Sequence, residues 1–272
     1  MLSLLFMLAC TVDDAPQDYL SWFDPGSDLE VREAIEFTDQ AYDFPADSST
    51  GIGALIDDLF PVSDDVIAYA SNDQFGADTD CTSTVEDELP WVLEGVVTLH
   101  PRFYFKTNGC DYASDEKYYG SYFIEDSTGG VFVLGDSKVA HFDTGAKVRM
   151  VVRGVRTAYG QNMIYAHDIE AVLREETQPV YYQMADGALG ANDIGEVRRV
   201  EGTVVTEKDT FGEFLVESDD GQTHSVSLDA ELNRRGVGYD IGTRIQATGP
   251  VLYSYEVYTI IVMEIGQISV LD

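Results

Sequence analysis

The side chains best suited to chemistry lie in one stretch, Pro101–Tyr118, where aromatic and basic residues interleave. Tyr104 is followed by Lys106, and Tyr112 by Lys117 and Tyr118. Ring faces stack on bases or sugar rings, and the ammonium groups between them supply local positive charge. Arg149 and Arg153 add to it from a strand that carries Lys147, Arg149 and Arg153 on one face and Val148, Met150 and Val152 on the other. The expected ligand-binding set is therefore Tyr104, Lys106, Tyr112, Lys117, Tyr118, Arg149 and Arg153. The competing reading is structural, with Phe103 and Phe105 packed into a core and the loop merely pinned.

No catalytic pattern accompanies this stretch. Gly-x-Ser-x-Gly, His-Glu-x-x-His and phosphate-loop motifs are absent from the sequence. His100, His141, His167 and His224 are scattered, and neither Cys81 nor Cys110 has a second ligand at zinc spacing. The sequence thus leads us to expect no catalytic residues, no metal and no cofactor.

Charge narrows the partners. The chain carries 49 acids and 16 bases, a net of -33. Residues 11–85 hold 18 acids and one base (Arg32), 86–173 hold 13 and 8, and 174–272 hold 18 and 7, or -17, -5 and -11. A field of that sign repels phosphate backbones and favours solubility. It argues against nucleic acid as a partner. The charge of residues 11–85 could also lie across Lys147, Arg149 and Arg153 and occupy that basic face.

An internal repeat organises the elements that must position these residues. Glu94-Gly-Val-Val-Thr98 returns as Glu201-Gly-Thr-Val-Val205, Gly120-Ser-Tyr-Phe-Ile-Glu-Asp126 as Gly212-Glu-Phe-Leu-Val-Glu-Ser218, and Asp143-Thr-Gly-Ala-Lys-Val148 as Asp240-Ile-Gly-Thr-Arg-Ile245. Each copy predicts five strands. The first has Trp91–His100, Tyr119–Asp126, Val131–Leu134, Lys147–Thr157 and Met163–Val172. The second has Glu196–Thr206, Glu213–Glu217, Thr223–Leu228, Arg244–Tyr253 and Tyr258–Val270, with a short helix at Asp229–Arg235 stopped by Gly236. Before them, Ser27-Asp-Leu-Glu30 is a capping box predicting a helix to about Tyr42. Gly51–Phe60 is a second helix, and Val66–Tyr69 a strand.

Three strands, a helix and two strands, with a glycine in the long first strand, resemble the OB-fold. Tyr122–Val133 followed by Gly145–Val148 is similar to OB-fold modules of exported bacterial proteins, some attached to secreted nucleases. The fold class expected is mainly β: two tandem five-stranded OB-fold-like barrels with a small helical N-terminal segment. The domains read as 1–10 signal segment, 11–85 acidic segment, 86–173 first barrel, 174–194 linker and 195–272 second barrel. A β-sandwich is the rival.

The apolar run Met1–Cys10 is too short to span a bilayer. Its ending, Leu8-Ala9-Cys10, resembles the lipobox of bacterial lipoproteins. That resemblance implies lipidation of Cys10, and Thr11 after it implies the outer membrane, facing the periplasm or the cell surface. Cys81 and Cys110 then remain as a pair, either disulfide-bonded or as two buried thiols.

These readings combine into a non-enzymatic, envelope-anchored lipoprotein that uses a barrel face to bind an envelope protein or glycan, touching the membrane through its lipid anchor only. The alternatives are an accessory module that binds single-stranded nucleic acid for an extracellular nuclease, and a hydrolase with acidic catalytic residues.

Overall fold

The computed structural model describes residues 35–44, 51–60, 91–99, 103–105, 118–134, 144–152, 154–158, 161–165, 177–254 and 256–271. In chain order these form β1 (Phe37–Thr38), α1 (Ile52–Leu59), β2 (Trp91–Val97), β3 (Phe103–Phe105), β4 (Tyr118–Asp126), β5 (Gly129–Leu134), β6 (Lys147–Val152), β7 (Gly154–Ala158), β8 (Gln161–Tyr165), β9 (Val180–Tyr181) and β10 (Gln183–Met184). The second module holds β11 (Val197–Val204), β12 (Glu213–Ser218), β13 (Thr223–Leu228), α2 (Ala230–Arg234), β14 (Arg244–Ser254), β15 (Val257–Val262) and β16 (Ile268–Val270). Among the described residues no helix is long and apolar enough to cross a membrane.

The second module is a closed five-stranded barrel. Its strands run β11-β12-β13-β15-β14 and back to β11, antiparallel except for the parallel pair β13–β15. That order, with a helix between the third and fourth strands, is the OB arrangement. Inward positions alternate with outward ones, so Val200, Val204, Phe214, Val216, Val226 and Leu228 form the core, to which α2 adds Leu232. Asp229 accepts the Leu232 N–H through Oδ1 as the helix cap, and Gly236 at φ +78° ends the turn that follows.

The first module's strands run β6-β2-β4-β5-β8-β7, again with a parallel pair, β5–β8. Among the described residues β6 and β7 do not pair, so this sheet is not a closed ring. Leu93, Val97, Tyr122, Ile124, Val131, Val133, Val148, Met150 and Ile164 face inward. The amphipathic helix α1 packs Ile52, Leu55 and Leu59 onto the same core. It is tied there by Asp126, whose Oδ2 accepts the Ile52 N–H while Oδ1 accepts from Thr128 and Gly129.

Three sequence expectations change. The helix to Tyr42 does not extend through 35–44, which is extended and pairs β1 in parallel with β9. Burial of Ile35, Phe37, Tyr42 and Phe44 against Val96, Val180 and Val197 outweighs the helical spacing. The stretch Pro101–Tyr118 contains a strand, β3, which pairs with β4 and is not all open loop. The strand predicted over Tyr258–Val270 is broken after β15, where Gln267 Oε1 accepts the Met263 and Glu264 N–H groups and its amide donates to the Thr248 carbonyl. Within the expected linker, 174–194, β9 pairs with β1, and β10 pairs in parallel with β11. The strand expected at Val66–Tyr69 and the end of the one at Met163–Val172 lie outside the described residues.

Candidate functional site

OB-folds bind along the outer face of their second and third strands, flanked by adjoining loops. In the first module those strands are β4 and β5, and their outer face is closed. Phe123 and Phe132 sit there at 0% exposure, stacked edge to face with centroids 4.9 Å apart. The second module approaches by its backbone. A Cβ on Gly130 would stand 2.1 Å from the Gly195 carbonyl oxygen, and one on Gly195 2.4 Å from the Gly130 oxygen. Gly195 also has φ +84°, so the contact suits glycine on both sides. The Gln161 side chain accepts the Tyr253 N–H across the same junction.

Glu125 is sealed into this junction, 1% exposed. Burial pushes its carboxyl well above the usual carboxylate range, and Glu196 and Asp126 push the same way, while the Val197 N–H and the Arg198 guanidinium oppose. Arg198 is itself gripped by Asp193, at 2.8 Å, and by Glu196. Glu196 is raised by burial against the pull of Arg198. This cluster binds modules together and presents no open face.

Beside it runs a seam of partly covered aromatic and basic side chains, where residues 35–44 and the connector meet both modules. The Lys147 ammonium is 3.4 Å from the centroid of the Phe44 ring and 3.3 Å from Glu94. The Arg199 guanidinium is 3.5 Å from the Tyr182 centroid and 5.6 Å from that of Phe37. Between them the Tyr42 hydroxyl accepts the Tyr181 N–H, and the Tyr42 ring meets Phe44 and Tyr181 at 5.2 and 5.9 Å. Burial raises the Tyr42 hydroxyl far above the usual phenol range, with Glu125 adding to it. Each aromatic–cation pair joins one strand of a module to residues 35–44 or to the connector.

Of the expected ligand-binding residues, Arg149 is exposed on β6, opposite Glu94 in register. Tyr104 and Tyr118 lie on paired strands, with Tyr104 opposite Tyr119 and Phe105 opposite Tyr118. Lys106, Tyr112, Lys117 and Arg153 lie outside the described residues, as do Cys10, Cys81 and Cys110. Lys147, expected on an open basic face, is 6% exposed because residues 35–44 cover it with Phe44; the covering group is a ring and not a carboxylate. Sequence reasoning missed Phe37, Phe44 and Arg199.

A second polar cluster sits on the β12–β13 turn. Ser218 Oγ lies 3.2 Å from His224 Nε2 and donates to Asp220. The carboxylate holds the serine and the Gln222 and Gly187 N–H groups, not the imidazole, so no proton relay runs through the histidine. Burial lowers the His224 pKa despite Asp220 and Asp193. Among the described residues no three His, Cys, Asp or Glu side chains converge as a metal site.

No protein-family model matches the chain, and no curated protein sequence matches it. Solved structures similar to it include the tetrameric p202 HIN2, at 16% identity and TM-score 0.29 over 68% of this chain and 94% of that one. A murine DNA binding protein bound with double-stranded DNA is similar at 10% identity and TM-score 0.35, over 68% and 99%. The wild-type single-stranded DNA binding protein from Thermus aquaticus is similar at 12% and 0.24, over 68% and 93%. Likeness at this level assigns no ligand to the chain. The expectation that net charge excludes nucleic acid nevertheless does not stand. The physical reason is that -33 is a sum over the whole chain, whereas residues 86–173, which hold the exposed Arg149, carry only -5. A ligand feels charges within roughly 10 Å.

Proposed function

We propose that this chain is a non-enzymatic binding protein of two OB-type modules that takes single-stranded nucleic acid along the seam between them. The observation that carries this reading is the exposed guanidinium of Arg149 on β6 together with the half-buried Arg199 stacked on the half-buried Tyr182 ring. Stacking rings and guanidinium or ammonium groups in alternation suit a single strand, whose bases present π-faces beside a charged backbone. Reading the first module as a second barrel is supported by its strand order, in which β6 and β7 flank the positions that β14 alone fills in the second. The ending Leu8-Ala9-Cys10 supports export and lipid anchoring at Cys10 in an outer membrane, and with it a Cys81–Cys110 disulfide.

Fluorescence anisotropy of a labelled 20-mer of deoxythymidine against the full chain tests the ligand. Binding is expected at 20 mM salt, and raising the salt weakens it with a log–log slope of about 0.7 per phosphate contact. The double variant Arg149→Ala/Arg199→Ala lowers that slope by about one to two. No binding at low salt to either the DNA or the matching RNA strand refutes the reading. Mass spectrometry of the N-terminal peptide, and a Cys10→Ser variant that leaves the membrane fraction, test the anchor.

A further inference from the structure

The repeat pairs each outer-face residue of the first module with one of the second. Phe123 corresponds to Leu215 and Glu125 to Glu217. Their cross-strand neighbours are Phe132 and Gly130 in one module, Ser225 and Thr223 in the other. In the first module this face is buried by a protein surface: Phe123 and Phe132 lie at 0% exposure, and Glu125 faces the Val197 N–H and the Arg198 guanidinium. In the second module the same face is open. Val205 and Leu215, joined by the Val205 N–H and the Leu215 carbonyl, are each 37% exposed, and Phe211 in the adjoining loop is 41% exposed. Glu207, Asp209 and Glu217 are exposed around them, with Glu213 half-buried. The one base in that loop, Lys208, donates its ammonium to the Val237 carbonyl.

We propose that this face of the second module docks a cationic protein segment in extended conformation, with apolar side chains on Val205, Leu215 and Phe211 and its Lys or Arg residues against Glu207 and Glu217. The partner's chemistry follows from complementarity. Four carboxylates ring an apolar centre, and the equivalent face already accepts a backbone N–H and a guanidinium in the first module. The occupant does not come from residues 11–85, whose 18 acids and one base repel it, nor from a second copy at -33. The same carboxylates repel phosphate, so this surface is separate from the seam and does not depend on what binds there.

A fluorescein-labelled octapeptide of alternating Lys and Leu, titrated into the full chain at 50 mM salt, is the probe, with alternating Glu and Leu as its counterpart. The double reversal Glu207→Lys/Glu217→Lys is expected to weaken Lys-Leu binding at least tenfold. The off-face reversal Asp186→Lys/Glu256→Lys, with the same change in net charge, is expected to weaken it less than threefold. Hydrogen exchange on the unaltered chain should slow across 205–217 when the peptide is added. Equal losses in the two variants mean diffuse attraction and overturn the proposal. So does equal binding of the Glu-Leu peptide, absence of protection at 205–217, or loss of oligodeoxythymidine binding in the Glu207→Lys/Glu217→Lys variant.

Discussion

Replacing Glu125 by Gln isolates the cost of a carboxylate sealed between two modules. Its Oε2 has no hydrogen-bond partner among the described residues, and burial holds its pKa well above the ordinary 4.5. Between 4.5 and that raised value the folded chain holds one proton more than the unfolded chain. Stability is then fully present below about pH 4.5 and falls by about 1.4 kcal/mol per pH unit as pH rises towards the folded pKa. From pH 5 to 7 that amounts to as much as about 3 kcal/mol. The amide removes the titration but puts an N–H donor where Oε2 has no partner, a pH-independent loss of about 1–3 kcal/mol. The variant is therefore less stable than the parent at pH 5, and the two curves converge as pH rises. Asp126 and Glu196, also raised by burial, leave a residual slope in both proteins, so the difference between the curves is the diagnostic quantity. Urea unfolding followed by Trp22 and Trp91 fluorescence, in half-unit steps from pH 5 to 8, measures it. Parallel curves would refute the reasoning, because they would mean that Glu125 titrates alike in the folded and unfolded chains.

Gly130→Ala forces a Cβ into the Gly195 carbonyl and is expected to cost at least 1–3 kcal/mol and to enlarge the radius of gyration. Gly238→Ala serves as its control: the nearest atom is the Lys208 Cε at 3.5 Å, so its unfolding midpoint stays within about 0.5 kcal/mol of the parent. Phe44→Ala uncovers Lys147, costing about 0.5–2 kcal/mol, and mass spectrometry after amine acylation should show faster modification of that lysine. Gln267→Ala strands the Met263 and Glu264 N–H groups and is expected to lower stability by about 2–5 kcal/mol, read from the urea midpoint.

The repeat made the closed barrel of the second module legible because it sampled features closure requires: the glycine Gly202, matched by Gly95, the turn residues, and alternation with a period of two. Gly202 illustrates this, since a Cβ there would stand 2.2 Å from the Glu217 carbonyl oxygen. The closed face of the first module was also written in the chain. Tyr122-Phe-Ile124 and Val131-Phe-Val133 are unbroken apolar runs, the mark of strands covered on both sides, whereas Glu213-Phe-Leu-Val-Glu217 carries acids at outward positions. Residues 35–44 misled because Ile35, Thr38 and Tyr42 share helical spacing, while their true partners, Val96, Val180 and Val197, are far off in sequence. Near the seam, the outward position of Arg149 on its strand was legible. The stacking of Arg199 on Tyr182 was not, since nothing local says which ring a guanidinium will meet.

Magnitudes explain why a buried acid is tolerated at the junction. Phe123 and Phe132, fully covered, contribute about 1.5–3 kcal/mol each. Holding Glu125 protonated at pH 7 costs no more than about 3.4 kcal/mol, the 2.5 units above its ordinary value at about 1.36 kcal/mol each. The apolar contribution, about 3–6 kcal/mol for the two rings, is comparable with or larger than the electrostatic cost at neutral pH, and it is available only because Gly130 and Gly195 let the backbones approach closely enough to cover the rings. In the second module Thr223 replaces that glycine and Ser225 replaces the second phenylalanine. Its outer face cannot form the same close backbone contact and has less apolar surface with which to offset a buried Glu217. That face stays open at neutral pH unless a partner brings a positive charge to meet the carboxylate.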